Sequence, residues 1–130
     1  ALSVHTATLL PSGLVLVAGG YQATPLGFGP TGRTWLLDPV AATWAAAGEL
    51  SPRYFHTAAL LPSGHVLVVG GLPNGLAEER FDPDAGAWSA TGRLVWTRTG
   101  HAATLLTTGR VLVTGGQNYG YTLPFTELYW

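Results

Sequence analysis

The segment FHTAALLPSGHVLVVGG, residues 55–71, occurs in three versions along the chain. Residues 4–20 read VHTATLLPSGLVLVAGG and residues 100–116 read GHAATLLTTGRVLVTGG, which makes His5, His56 and His101 equivalent. Self-similarity at intervals of about 45 to 50 residues is typical of folds built from repeated supersecondary units. The repeat is therefore the feature that decides the fold class.

Each version of the segment predicts a β-hairpin. In the middle copy, residues 56–61 form an apolar run, residues 62–64 (Pro-Ser-Gly) supply turn chemistry, and residues 66–69 are apolar and mostly β-branched. The second strand has no polar side, so we expect it to be covered on both faces. The paired glycines that follow end this strand where the backbone needs room or a positive φ.

The repeat continues beyond the hairpin. A third strand is predicted at residues 33–38 and 77–82, each followed by an Asp-Pro turn, and a fourth at residues 43–48 and 87–91, each carrying a tryptophan that we expect to wedge between blades. In the last repeat a third strand is predicted at residues 125–130, and no fourth strand follows it in the sequence. Four antiparallel strands per repeat at this spacing predict the blades of a β-propeller.

The same residues resemble kelch repeats. The resemblance rests on the glycine pairs, on Phe81-Asp82-Pro83, on Trp88, and on an arginine three places before the histidine, and it covers essentially the whole chain. Three positions depart from the pattern: Leu37 replaces the aromatic, Trp130 the aspartate, and Leu2 the arginine. The predicted fold is all-β: a kelch-type propeller segment of about three four-stranded blades, residues 1–50, 51–95 and 96–130, the third lacking its outer strand.

Composition limits the functions that we expect. Charged residues make up 10% of the chain and the net charge is −1, which gives no electrostatic footprint for nucleic acid or an anionic membrane. No apolar run approaches the length of a membrane span. Cysteine is absent, so neither a thiolate metal site nor a cysteine nucleophile is available. We predict no cofactor and no metal.

Strand direction sorts the connections into two ends. In an antiparallel four-stranded blade, the connections from second to third strand and from fourth strand to the next blade lie at the same end. We call this end the loop face; its longer connections are residues 21–32, 72–75 and 117–124. The opposite end carries short Pro-Ser-Gly, Thr-Thr-Gly and Asp-Pro turns.

Aromatic and amide side chains concentrate in the connections of the loop face. Flat rings beside amides suit a carbohydrate or a protein partner, because the rings supply contact area and the amides fix orientation. The predicted ligand-binding residues are Tyr21, Phe28, Tyr54, Trp96, Gln117, Asn118, Tyr119 and Tyr121. The alternative is that Phe55 and some of the tyrosines only cap the core.

The repeated histidines, arginines and glutamates are predicted to be structural residues between blades. Equivalent positions on packed sheets lie about 10 Å apart, too far for His5, His56 and His101 to share a metal ion. Arg53 and Arg98 are expected to pair with acidic groups or loop carbonyls, and the equivalent Glu79 and Glu127 are the candidate partners. A substrate-binding role for the arginines is the alternative.

The kelch resemblance extends to the propellers of galactose and glyoxal oxidases, whose copper–radical site includes a tyrosine cross-linked to a cysteine. This chain has no cysteine, so that activity is not carried over. The prediction is a non-catalytic binding or scaffold module. The alternative is a fragment of a larger, oxidase-like propeller enzyme whose catalytic residues lie elsewhere. The resemblance also favours an extracellular or cell-envelope location in a bacterium.

Three blades cover only part of a ring, and propellers close with typically 4 to 8 blades. An open arc would leave the outer faces of the first and last blades in water. Two copies related by a two-fold axis would give six blades, so the sequence predicts a homodimer. The alternative is that this chain is a piece of one longer propeller.

Overall fold

The computed structural model describes residues 1–73 and 77–129, and within them the chain forms β-strands and no helix. The first repeat contains β1 (Leu2–Ser3), β2 (Thr6–Leu9), β3 (Val15–Ala18), β4 (Tyr21–Thr24), β5 (Gly27–Pro30), β6 (Arg33–Asp38) and β7 (Thr43–Glu49). The second contains β8 (Arg53–Tyr54), β9 (Thr57–Leu60), β10 (Val66–Val69), β11 (Leu72–Pro73), β12 (Ala77–Asp82) and β13 (Ala87–Arg93). The third contains β14 (Ala102–Leu105), β15 (Val111–Thr114), β16 (Gln117–Asn118), β17 (Tyr121–Thr122) and β18 (Thr126–Tyr129).

Three antiparallel sheets form the body of the protein. The first sheet has the order β2-β3-β6-β7, the second β9-β10-β12-β13, and the third β14-β15-β18. The prediction of an all-β chain of antiparallel sheets is confirmed, and the order is compatible with part of a propeller. Predicted and observed strands agree within a few residues. Trp130, predicted to end the last strand, lies outside the described residues.

Asp-Pro turns end the third strand of the first two sheets for a local electrostatic reason. Asp38 Oδ1 accepts hydrogen bonds from the amides of Val40 and Ala41, and Asp82 Oδ1 does the same for Asp84 and Ala85. These amide bonds hold the pKa of Asp82 below its ordinary value. The aspartate thus satisfies donors that the reversing backbone leaves free.

The core lies between the sheets. β9 contacts β2 on one side and β14 on the other. Between the first and second sheets lie Leu10, Leu16, Ala47, Val66 and Phe81, and between the second and third lie Ala59, Leu67, Val69, Leu94, Val111, Val113 and Tyr129. β10 is covered on both faces and all four of its residues are buried. Coverage on both faces therefore explains why this strand has no polar side.

Trp88 and Trp44 are equivalent in sequence and differ in environment. Trp88 packs against Phe81 with ring centroids 5.2 Å apart, and its Nε1 donates to Thr34 Oγ1 of the first sheet at 3.1 Å. The sequence predicts a similar wedge at Trp44, but this side chain is 58% exposed. The reason is that no described residue packs on that side of the first sheet.

Candidate ligand-binding face

The connections of the loop face pair with one another. In the first repeat β1 pairs with β4, in the second β8 pairs with β11, and in the third Thr99 forms a bridge with Gln117. The segment that enters each repeat is therefore bonded to the segment that leaves its second strand. This repeated pairing fixes the backbone of the face.

Two connections that the sequence predicts to be loops are β-hairpins. β4 pairs with β5 over residues 21–30, and β16 pairs with β17 over residues 117–122. Glycine and proline disfavour strands, which is why residues 27–30 do not predict one; pairing with β4 overrides that preference. The end of the predicted connection 72–75 falls on residues 74–75, outside the described residues.

Arg53 ties the loop face to the second sheet. Its guanidinium is fully buried and donates to the carbonyls of Gly70 and Ala77 at 3.2 and 2.9 Å. Nη2 also contacts Glu79 Oε2 at 2.6 Å. Glu79 in turn accepts from the Ser51 amide. The charge is satisfied on several sides, as a buried guanidinium requires.

Arg98 repeats this arrangement in the third repeat. It is fully buried, donates to the carbonyls of Gly115 and Phe125 at 2.9 and 3.0 Å, and forms an ion pair with Glu127. Glu127 Oε2 accepts from the Val95 amide at 2.7 Å. The guanidinium groups of both arginines bond within their own repeats. The backbone of these arginines bonds to the preceding repeat: Arg53 O and Arg98 O accept from the amides of Gly20 and Gly71, and Arg53 N donates to Thr31 O at 3.3 Å.

His56 and His101 bond across sheet boundaries. His56 Nε2 lies 3.1 Å from Ala18 O and from Thr6 Oγ1, both in the first sheet. His101 Nε2 lies 2.8 Å from Thr57 Oγ1 in the second. A carbonyl only accepts, so His56 carries its proton on Nε2. His5, the third equivalent, is exposed.

Both buried imidazoles are neutral near neutral pH. Burial, reinforced by Arg53, lowers the pKa of His56 from 6.5 to about 4, and burial with Arg98 does the same for His101. The Nδ1 atom of each is buried. Each ring therefore bonds to the neighbouring sheet through Nε2, whereas its Nδ1 has no hydrogen-bond partner among the described residues.

Glu78 is a buried acid that sequence reasoning missed. It is fully buried, and its Oε2 accepts from the Gly70 amide at 3.1 Å. Burial raises the pKa of Glu78 to about 8 although Arg53 opposes the shift. The available signal was strand alternation: Glu78 and Glu79 are consecutive in β12 and must point to opposite faces, so one of the two had to face a neighbouring sheet.

The predicted ligand-binding aromatics fall into two groups. Tyr21 and Tyr54 meet edge to face with centroids 5.0 Å apart, and Tyr54 also contacts Phe55 at 5.1 Å. These three rings join the first and second repeats. They are half-buried or half-exposed, so the cluster both caps the core and presents ring surface.

The second group is exposed and spread out. Phe28, Tyr119 and Tyr121 are 70%, 81% and 77% exposed, and Trp96 is 47% exposed. Gln117 is also exposed, whereas Asn118 is half-buried with its Oδ1 shielded from solvent and without a hydrogen-bond partner among the described residues. The structure does not bring these rings into contact with the tyrosine cluster.

Backbone conformation at the loop face is unusual at two of these aromatics. Phe55 has φ of 57° and Tyr119 has φ of 46°, a left-handed conformation that costs a residue with a side chain roughly 1–2 kcal/mol. The positions equivalent to Phe55 in the first and third repeats are Val4, with φ of 49°, and Gly100, with φ of 63°. The left-handed conformation therefore belongs to this position in all three repeats, whichever residue occupies it.

A cavity of about 290 Å³ lies at the opposite end, between the second and third sheets. Leu61, Leu67 and Val111 contribute apolar walls, and His65 and Arg80 contribute polar groups. His65 is engaged by Ser63 at 2.7 Å and lies 3.5 Å from Asp82. The sequence predicts only plain turns at this end, and the cavity has no counterpart in that prediction.

Neither a metal centre nor a membrane span is found in residues 1–73 and 77–129. Their histidine, aspartate and glutamate side chains form no group of three that could hold an ion. No helix in this part of the chain is long and apolar enough to cross a bilayer. No family model matches the sequence, and no curated protein matches it.

Proposed function

We propose that this chain is a kelch-type β-propeller segment that acts as a non-catalytic binding module and takes a carbohydrate on its loop face. The observation that carries the proposal is the exposure of three rings and one amide in the connections of the loop face: Trp96, Tyr119, Tyr121 and Gln117. Sugars present flat C–H faces to such rings and hydroxyls to amides.

The rigid pairing beneath the loop face supports the same function. Arg53 and Arg98 anchor the entering segments of the second and third repeats by buried hydrogen bonds. Loops held on a rigid scaffold lose little entropy on binding, and binding sites concentrate there. A protein partner is the other class of ligand that ring-rich surfaces take.

A glycan array probed with the wild-type chain tests the proposal, followed by titration calorimetry on any hit with Trp96→Ala and Tyr119→Ala. We expect each substitution to weaken binding by about 1–3 kcal/mol, the contribution of one stacked ring with its buried area. Val40→Ala, which removes an exposed apolar side chain in the turn between β6 and β7, is the control. Unchanged binding in both ring variants would contradict a binding site on the loop face. A protein that binds the wild-type chain but neither ring variant would show that the ligand is a protein rather than a carbohydrate.

Ring closure is the second part of the proposal: two copies associate to give six blades. The support is exposed apolar surface on both terminal sheets, including Leu9 and Trp44 on the first and Leu105 and Leu128 on the third. Each Å² of apolar surface removed from water contributes about 25 cal/mol. Light scattering from micromolar to millimolar concentration tests this: a species that stays at 13.6 kDa throughout contradicts closure, and twice that mass supports it.

A further inference from the structure

In the first and second sheets, the glycine pair that ends the second strand packs against the histidine and backbone of the next repeat. A Cβ added at Gly19 would lie 2.7 Å from His56 Cε1, and one at Gly70 would lie 2.5 Å from His101 Cε1. The second glycine of each pair donates its amide to the next repeat, Gly20 to Arg53 O at 2.8 Å and Gly71 to Arg98 O at 2.9 Å. Each pair is thus a socket for the histidine of the following sheet, and only glycine leaves room for the ring.

The third socket is open. At Gly115 no heavy atom of the described residues lies within 4 Å of an added Cβ, although its φ of 65° matches those of Gly19 and Gly70. Thr114 O is the register equivalent of Ala18 O, the carbonyl to which His56 bonds. Thr126 is the register equivalent of Thr34, whose Oγ1 accepts a hydrogen bond from the Trp88 indole. Thr126 is exposed.

The free side of the first sheet carries the complementary groups. His5 is exposed and is the equivalent of His56 and His101. Trp44 is 58% exposed and is the equivalent of Trp88. One chain therefore presents an unfilled socket at one end and an unplaced histidine and indole at the other.

We propose that the third sheet's socket, formed by Thr114, Gly115 and Gly116, binds His5 of a second copy of this chain. The His5 imidazole of that copy lies over Gly115 and donates Nε2–H to Thr114 O. The Trp44 indole of the same copy donates to Thr126 Oγ1. The inference rests on the proposed ring closure and names the residues that make it. A two-fold axis repeats the contact, so both sockets of the dimer are filled.

One residue of the third repeat makes the contact between copies weaker than the two equivalent histidine contacts within the chain. Thr6 and Thr57 bond the histidine of the following repeat, whereas the third repeat has Ala102 at that place. A contact between copies consequently has one hydrogen bond fewer. We expect association to be reversible, and Ala102→Thr to tighten it about fivefold by restoring a bond to His5.

Sedimentation equilibrium of the full chain from micromolar to millimolar concentration tests the socket with Gly115→Ala. The added methyl group occupies the place of the imidazole, and the dimer is expected to weaken by at least about tenfold. Gly86→Ala is the matched control, because Gly86 has φ of 62° and open space around it, which gives the same backbone strain away from the socket. The control is expected to associate like wild type.

A double-substitution cycle identifies the ring that the methyl group displaces. His5→Ala alone weakens the dimer, and Gly115→Ala adds little more in the His5→Ala background, because the imidazole is already absent. Additive losses contradict direct contact between these two residues.

The outcomes separate the socket from ring closure. A wild-type dimer that neither Gly115→Ala weakens nor Ala102→Thr tightens overturns the socket and leaves self-association standing. A wild-type chain that stays monomeric over the whole range overturns both. Tightening by Ala102→Thr supports the socket even where Gly115→Ala does not fold.

Discussion

His56 and His101 make stability depend on pH through their burial. Each has a folded-state pKa of about 4 against 6.5 for the free side chain. The unfolded chain therefore binds more protons between these values, and the free energy of unfolding falls as the pH drops from 6.5 to 4. Each ring contributes on the order of 3 kcal/mol to that loss.

Glu78 acts in the opposite direction at higher pH. Its folded-state pKa is raised from 4.5 to about 8, so the folded chain keeps a proton that the unfolded chain loses. Its contribution to stability is complete below pH 4.5 and is lost as the pH rises to 8. Between pH 4.5 and 6.5 the two histidines outweigh Glu78, and above pH 6.5 Glu78 has the larger effect because the histidines of the unfolded chain lose their protons.

We therefore predict a maximum in the free energy of unfolding near pH 6.5. Urea unfolding across pH 4 to 9 measures it, and the decline from pH 6.5 to 8 is expected to be about 1 kcal/mol, because the histidines of the unfolded chain lose their remaining protons over the same range. Glu78→Gln keeps the acceptor for the Gly70 amide and removes the ionisation, so the decline on the alkaline side disappears. A profile that rises steadily to pH 8 in the wild type contradicts the buried protonated glutamate.

Gly70 and Gly86 provide a second prediction at the residue scale. Both have positive φ, 67° and 62°, but an added Cβ at Gly70 meets Arg98 O at 2.6 Å and the His101 ring, whereas Gly86 has open space. Gly86→Ala is expected to cost roughly 1–2 kcal/mol from the backbone alone. Gly70→Ala adds overpacking of about 1–3 kcal/mol. Equal midpoints in urea would contradict the close approach of the second and third sheets.

At the scale of elements, Arg53 holds β8 against the second sheet. Arg53→Ala leaves the carbonyls of Gly70 and Ala77 without this donor, and it removes the positive charge that pairs with the Glu79 carboxylate. Breaking a buried ion pair on one side costs about 3–5 kcal/mol. Arg33→Ala, at an exposed arginine in β6, is expected to stay within about 0.5 kcal/mol of wild type.

Denaturant unfolding of both arginine variants checks this prediction. If Arg53→Ala does not fold, Arg53→Lys keeps the positive charge and loses the forked geometry, and it should still unfold at lower urea than wild type. An Arg53→Lys chain as stable as wild type would mean that charge alone, rather than the guanidinium's several donors, anchors β8.

Elements also show where sequence patterns mislead. The sequence predicts a loop at β4 and β5 because Pro25, Gly27, Gly29 and Pro30 disfavour strands. The hairpin forms nevertheless, because β1 pairs with the outer edge of β4 and supplies hydrogen bonds from a distant segment. The strand propensity of a segment carries no information about a pairing partner that is distant in sequence.

At the scale of the molecule, the second sheet lies between the other two. All residues of β10 are buried, while β14 in the third sheet is largely exposed. We predict that the amides of Val66–Val69 exchange with deuterium only through global unfolding, and that those of β14 exchange faster. Hydrogen exchange with peptide-level mass spectrometry at low protein concentration measures the order. Equal protection of the two strands would contradict this arrangement.

The sequence by itself determined the strands, the turns and the repeat. Alternation, apolar runs, Pro-Ser-Gly and Asp-Pro are local signals that act over a few residues, so the positions of β3, β10 and β15 follow from the sequence alone. It also indicated which arginines and glutamates belong together, because Arg53 and Arg98 recur in register with Glu79 and Glu127.

Only the tertiary structure decided what each repeated residue does. His56 and Thr6 meet although they are 50 residues apart, and Trp88 reaches Thr34 across 54. Their equivalents His5 and Trp44 carry the same sequence signal and lie exposed, because no described sheet covers them. Burial, the lowered histidine pKa values and the raised pKa of Glu78 depend on which neighbour a sheet has, and neighbours between repeats are set by packing over distances that a local pattern does not encode.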